Sequence, residues 1–297
     1  IADLGRELRE LHERALLGLR AHPLEFADRV AIRLDERRDE IASGYVTAVS
    51  GSAGQLCTKP GFVFAPEGHD LDAAIAAAAA PVGEHRLLGP RLAQSYGARR
   101  DAILAAPGVR VIVEGRLRFD NDGQGWATPT VVAVSLDDLR AGREEILEEA
   151  FGPLSVIVEV PEGTELAPLV PELFEGNLSA TLHLSADELA GSTENVEELR
   201  ALVQAMALQV GRVLFNGWST GVAVTPATTH GGPWPATTND SSTSVGTAAI
   251  ARFQRPVSYQ SVSAAFLPAE LRGDNPLGVP QARAAAGESV TWGDRWR

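Results

Sequence analysis

Gly54-Gln55-Leu56-Cys57-Thr58-Lys59-Pro60 holds the only cysteine of a 297-residue chain. A helical run rich in Ala, Ser and Gly leads into it. The β-like triplet Phe62-Val63-Phe64 leaves it. The thiol therefore lies at a helix-to-strand junction among small residues, and two readings are open. Free cysteine is among the most often buried residue types, which makes a plain core cysteine one of them. The other is a nucleophile. Gly54 permits close backbone approach, and Thr58 and Lys59 make the surroundings polar. A turn after a helix can also aim N–H groups at an oxyanion. A thiolate in such a place attacks carbonyls and forms covalent intermediates.

Outward from this stretch, apolar strands alternate with helices. Toward the N-terminus, residues 3–20 carry Leu4, Leu8, Leu11, Ala15 and Leu19 at helical spacing. Arg29–Leu34 reads as a short strand, and Asp35 caps a helix running to about Ser50. Toward the C-terminus, strands are expected at 61–65, 109–113, 129–134, 155–160, 179–184 and 212–215. Helices are expected at 70–80 (capped by Asp70), 90–106, 137–149, 165–175 and 186–210. This order implies an α/β fold with a largely parallel sheet covered by helices. Residues 217–249 are rich in Gly, Pro, Thr and Ser and too long for an ordinary connector, so they read as a functional loop or interface. Ala251–Val262 reads as a strand, and Pro256 restricts it to a sheet edge that another subunit can extend.

Composition narrows the function. A hydrophobic share of 44% supports a substantial core. A net charge of −13 excludes non-specific nucleic-acid binding, which needs a basic surface. One cysteine excludes an internal disulfide framework and fits a reducing, cytoplasmic setting. No apolar run is long enough to span a membrane, and no metal-ligand spacing occurs among the six histidines and single cysteine. The chain opens on Ile1 rather than Met, as a fragment or processed chain does.

Two further stretches are suited to chemistry. Glu148-Glu149-Ala150-Phe151-Gly152-Pro153 is either a helix stop with two solvated carboxylates or a bracket for a polar ring. In the second reading the carboxylate accepts from sugar hydroxyls and the aromatic packs the ring face. Phe215-Asn216-Gly217-Trp218, followed by His230-Gly231-Gly232-Pro233-Trp234-Pro235, is either a pocket wall or a structured surface loop. His183 lies in an apolar strand pattern and His230 in a Gly-Pro loop. Neither shows a paired carboxylate, so both read as structural and a cysteine protease is disfavoured.

Gly54–Pro60 resembles the nucleophile motif of the aldehyde dehydrogenase superfamily, and Glu148–Pro153, about 92 residues downstream, resembles its cofactor-ribose motif. The segments around Asn216, His230 and 242–260, and the tail 266–279, are similar to the 2,5-dioxovalerate (α-ketoglutarate semialdehyde) dehydrogenase branch. The resemblance covers about residues 41–279. It implies the catalytic-domain fold of that family with a C-terminal oligomerisation strand. It implies an oxidoreductase that converts an aldehyde to the acid with NADP or, alternatively, NAD.

In that scheme Cys57 attacks the aldehyde, a thioester forms, and water releases the acid. Glu149 holds the nicotinamide ribose and Phe151 packs nearby. Asn216, Trp218 and His230 lie on the substrate side, and the strand near Arg252–Val262 serves a homo-oligomer. The domain layout implied is a divergent N-terminal helical segment at 1–40 and a catalytic α/β domain at 41–216. An active-site loop and oligomerisation segment follow at 217–280, then a tail at 281–297. The family's dinucleotide-binding half belongs upstream of Ile1, so weak NADP binding is expected of these 297 residues alone. Its general-base glutamate belongs roughly 34 residues before the cysteine, at Pro23, where no matching segment occurs. Glu25, the nearest carboxylate, stands in a different context. Two alternatives therefore remain: an inactive remnant acting in assembly, or a cysteine-dependent esterase.

Overall fold

The computed structural model describes residues 37–281. The helix expected at 3–20, the strand at 29–34, the Asp35 cap and the tail beyond 281 lie outside the described residues, as do Pro23 and Glu25. By compactness the chain divides after Ile250.

Three adjacent strands of the first unit show two-faced alternation. These are β1 (Phe62–Pro66), β6 (Thr130–Ser135) and β7 (Leu154–Val160). With β3 (Arg110–Val113) they form a sheet of order β1-β7-β6-β3. The β1–β7 and β7–β6 pairs are parallel and β3 is an antiparallel edge. Side chains two apart share a face. Phe62, Phe64, Val132, Val134, Val156 and Val158 enter one core, while Val63, Ala65, Val131, Ala133 and Ile157 enter the other.

Helices cover both faces, as a sheet apolar on both sides requires. α1 (Arg38–Ser50) and α2 (Leu71–Ala79) cover the second face with Ile41, Tyr45, Val49, Leu71 and Ile75. The first face is covered by α3 (Pro90–Ala105), α4 (Leu136–Ala141), α5 (Arg143–Ile146) and α6 (Leu166–Leu173). The α/β expectation is borne out. A parallel pair, β8 (Asn177–Leu182) and β9 (Val210–Phe215), packs with α6 and α8 (Val196–Gln209) around Leu182, Leu202 and Met206.

The structure departs from expectation in four places. The helix expected over 186–210 is two, α7 (Ala186–Leu189) and α8. Gly191 adopts φ +69°, and the N–H groups of Gly191 and Ser192 turn back to the carbonyls of Glu188 and Asp187. This is a Schellman stop, which glycine makes at low cost. Asp70 occupies the cap position of α2 without a capping bond. Its carboxylate pairs with Arg38 instead, and His69 Nδ1 accepts the Leu71 N–H at 3.2 Å. A small antiparallel sheet of β2 (His85–Arg86), β4 (Leu117–Phe119) and β5 (Gly125–Ala127) has strands too short for periodicity to reveal.

The fourth departure lies in the second unit. Among its described residues, Ala251–Val262 forms no strand. Pro256 lacks a ladder donor, and a strand exists only through a partner. The segment Ala264–Leu271 forms two short 3₁₀ turns. Asn275 closes a loop through bonds to both the N–H and carbonyl of Val279. Phe253, Phe266 and Leu277 are exposed.

Candidate active site

The two motifs converge because each immediately precedes a strand of an adjacent parallel pair. Cys57 lies just before β1, and Glu149–Pro153 lies just before β7. Since Phe62 pairs with Val156 in a parallel pair, both motifs sit at the same end of the sheet. The chain reaches Cys57 through a left-handed turn, with φ +51°, +58° and +64° at Ser52, Ala53 and Gly54. Such conformations cost about 1–3 kcal/mol at non-glycine residues and collect at functional sites. At Gly54 a side chain is also excluded by contact. An added Cβ would lie 2.5 Å from backbone atoms of Gly152 and Pro153.

Polar groups complete the join. Gln55 donates through Nε2 to the Phe151 carbonyl at 3.1 Å and accepts the Leu88 N–H on Oε1 at 2.7 Å. Buried Lys59 donates through Nζ to the Leu154 carbonyl at 2.7 Å. Cys57 itself is exposed, whereas Gln55, Thr58, Lys59 and Pro60 are buried. The core-cysteine reading is therefore excluded.

The acidic pair divides its roles. Glu148 faces outward and pairs with Arg99 at 2.9 Å. Glu149 turns inward, and its Oε1 is buried without a hydrogen-bond partner. Burial pushes its pKa up to about 7, and the charge of Lys59 partly opposes the shift. Two solvated carboxylates is thus the wrong description of this pair. The Phe151 carbonyl serves the join to Gln55, as described above.

The segment after β9 returns to the nucleophile. Asn216 takes a left-handed φ of +53°, and its Oδ1 accepts the Leu184 N–H at 2.7 Å, finishing β8. The Trp218 ring lies against His183, centroids 4.8 Å apart, and against Tyr45 at 5.3 Å. Gly44 provides the space, since a Cβ there would meet the Trp218 indole nitrogen at 2.5 Å. The side chains of Asn216 and Trp218 are thus engaged with the scaffold. Ser219, buried, donates from Oγ to the Thr58 carbonyl at 2.7 Å and so ties this segment to the Cys57 turn.

His230 is where the structure most changes the reading. Its Nε2 lies 3.3 Å from Cys57 Sγ, which brings the two sequence-predicted residues together. Its backbone N–H donates to Thr243 Oγ1 at 2.8 Å, and its carbonyl accepts from both N and Oγ of Ser244. The next two residues press backbone on backbone. A Cβ on Gly232 would come within 2.2 Å of the Asn177 carbonyl oxygen, and one on Gly211 within 2.2 Å of the Gly231 oxygen. Burial, with the nearby charge of Arg212, lowers the His230 pKa below the usual imidazole value.

His183 also lines a cavity of about 240 Å³ with Leu184, Glu188, Asn195 and Glu198. Cys57, Glu149 and His230 do not line it. Among the described residues no cluster of His, Cys, Asp and Glu is arranged to hold a metal ion, and no helix is long and apolar enough to cross a membrane.

No family model matches the chain. It is 38% identical over 260 residues to alpha-ketoglutaric semialdehyde dehydrogenase 2 of Azospirillum brasilense, covering 86% of this chain and 47% of that protein. It is 33% identical over 252 residues to an alpha-ketoglutaric semialdehyde dehydrogenase of Acinetobacter baylyi, covering 83% and 45%. The chain thus spans about half the length of the curated relatives it matches. Its fold is shared with an indole-3-acetaldehyde dehydrogenase of P. syringae solved in complex with NAD+ and IAA. That match has a TM-score of 0.55 at 16% identity and covers 77% of this chain and 44% of that one. With these relatives over most of its length, the chain belongs to the aldehyde dehydrogenase superfamily.

Proposed function

We propose that the protein oxidises an aldehyde to its carboxylic acid with NAD(P)+, using Cys57 as the nucleophile. The carrying observation is an exposed thiol on a strained turn whose neighbours are fastened to the segment bearing Glu149. Sγ attacks the aldehyde carbon and gives a thiohemiacetal, and the Cys57 N–H donates to its oxygen. A bound nicotinamide would accept the hydride, which leaves a thioester on Sγ. Water then releases the acid and restores the thiol.

Glu149 fits a ribose. Its Oε1 is buried and unpaired, and a sugar hydroxyl donating to it would supply the missing bond. Phe151, two residues on, would pack the ring. The substrate proposed is α-ketoglutarate semialdehyde, the aldehyde in the names of both curated relatives, with NADP as the preferred cofactor by resemblance to their branch. His230 stands on the substrate side with Cys57, and Asn216 and Trp218 shape that side from behind. A cytoplasmic homo-oligomer completes the reading. It is supported by the single exposed thiol and by the apolar side chains exposed in 251–281.

The test is reduction of NADP+ by the protein with α-ketoglutarate semialdehyde, followed by the absorbance of the reduced nicotinamide. Cys57→Ala should abolish it, since loss of a covalent nucleophile removes the thioester route. Turnover surviving in Cys57→Ala refutes the proposal.

A further inference from the structure

We propose that His230 is the proton-transfer residue of the Cys57 site, taking the thiol proton during attack and a proton from water during release of the acyl group. This rests on the reading of Cys57 as the nucleophile. The warrant is geometric. Nε2 stands 3.3 Å from Sγ, within hydrogen-bond reach for a sulfur partner. The two residues are 173 positions apart, so the contact is built by the fold rather than by chain proximity.

The ring position is fixed from its backbone. Thr243 and Ser244 bind both backbone polar groups of His230, Gly232 lets the loop press on β8, and Gly211 of β9 admits the Gly231 carbonyl. Arg212 of β9 holds the loop's other limb, donating to the carbonyls of Ser219 and Gly221 at 2.9 and 3.0 Å. Its positive charge and the burial of the ring both favour neutral imidazole, the form able to accept a proton.

The second ring nitrogen gives the proposal its particular shape. Nδ1 is buried and has no hydrogen-bond partner, so no carboxylate stabilises an imidazolium. A resting thiolate–imidazolium pair is therefore disfavoured, and His230 accepts the proton only as the reaction proceeds. In the first step the S–H proton moves to Nε2 as sulfur bonds to the carbonyl carbon, and that proton passes to solvent once the thioester has formed, which leaves Nε2 neutral again. In the last, a water proton moves to Nε2 as the water oxygen bonds to the acyl carbon. The C–S bond then breaks with its electron pair on sulfur, and Nε2 returns its proton to the sulfur. The sum is thioester plus water giving acid plus thiol, with no oxidant required.

Hydrolysis of p-nitrophenyl acetate by the full chain tests this without any dinucleotide. The native protein should show a burst of p-nitrophenol and then turn over. In His230→Gln and His230→Asn, turnover should fall about 100-fold or more, the usual scale of lost general acid–base catalysis. Acetyl-Cys57 should accumulate as a single adduct on intact mass. In His230→Ala, added imidazole should restore part of the turnover, which a merely structural histidine would not permit. The thiolate ultraviolet band should be absent from the native protein at neutral pH. Turnover in folded His230 variants within about threefold of native overturns the assignment, and a strong thiolate band overturns the transient-base form of it. Release of p-nitrophenol that is unchanged in Cys57→Ala instead overturns Cys57 as the nucleophile, the reading beneath both proposals.

Discussion

Replacing Glu149 with glutamine keeps the shape of a buried side chain and removes its ionisation. Burial lifts the folded-state pKa from 4.5 to about 7. Between those values the folded protein binds a proton that the unfolded chain has already released. Stability from this group is therefore fully present below about pH 4.5 and is lost as pH rises through about 7. A shift of about 2.5 units at about 1.36 kcal/mol per unit sets a ceiling of about 3 kcal/mol, of which about 2–3 kcal/mol falls between about pH 5 and 8.

Every other titrating group contributes equally to both proteins, so the difference between their curves isolates Glu149. Urea unfolding of native protein and Glu149→Gln at intervals across this range gives that difference directly. Glu149→Gln should gain on the native protein as pH rises, by about 2–3 kcal/mol at the alkaline end. Parallel curves would mean that Glu149 is solvated like Glu148, and the argument for a buried, unpaired ribose acceptor would fall.

His183 should act in the opposite direction. Burial, aided by the charge of Arg37 and opposed by Glu40, pushes its pKa down to about 4. Its contribution is present above about pH 6.5 and lost as pH falls through about 4, a loss of up to about 3 kcal/mol. His183→Phe, which keeps a ring against Trp218, should flatten that acid limb in urea unfolding. An unchanged limb would show the histidine ionising freely. Gly54→Ala should destabilise by about 2–4 kcal/mol, since it combines left-handed strain with overpacking against immovable backbone. A loss under about 1 kcal/mol in the same assay would show that the Cys57 and Glu149 segments are not tightly joined.

Much of this was legible in the sequence, and the illegible parts share a cause. The strands β1, β6 and β7 are continuous apolar runs because both sheet faces are buried, and such runs stand out locally. The family resemblance is what pairs Cys57 with Glu149, and the structure gives the reason for their spacing, since each precedes a strand of the same parallel pair. The break at Gly191 was present as a residue, but an isolated glycine is tolerated within a helical pattern, and only its left-handed φ ends the helix. The 251–262 segment has strand-like residues, yet no described strand pairs with it, and strand-like composition alone does not make a ladder.

His230 was missed as a partner of Cys57 because no carboxylate accompanies it, and that was the signal sought. The signal actually present was of another kind. Two consecutive glycines follow it, and a Ser-Thr-Ser stretch twelve to fourteen residues later binds its backbone.

That pattern also accounts for how an exposed cysteine is aimed. Along the turn, each neighbour has committed its polar groups to the scaffold. Gln55 uses both ends of its amide, Thr58 its carbonyl and Lys59 its ammonium. Fixing these three buried residues around one exposed one fixes the Cα–Cβ direction of Cys57, so its χ1 rotamer governs where Sγ lies. On the other side, His230 is fixed by its backbone rather than by its ring, through Thr243, Ser244 and two glycine contacts. The 3.3 Å approach is therefore a consequence of two rigid turns meeting, with little side-chain entropy left to lose. The order of assembly runs from the sheet outward. The parallel pair β1–β7 sets the end of the sheet, the left-handed turn at Ser52–Gly54 presents the thiol, and Ser219 ties the returning segment to that turn. A chain so fastened holds the imidazole against the thiol with no hydrogen-bond partner on Nδ1 to orient the ring.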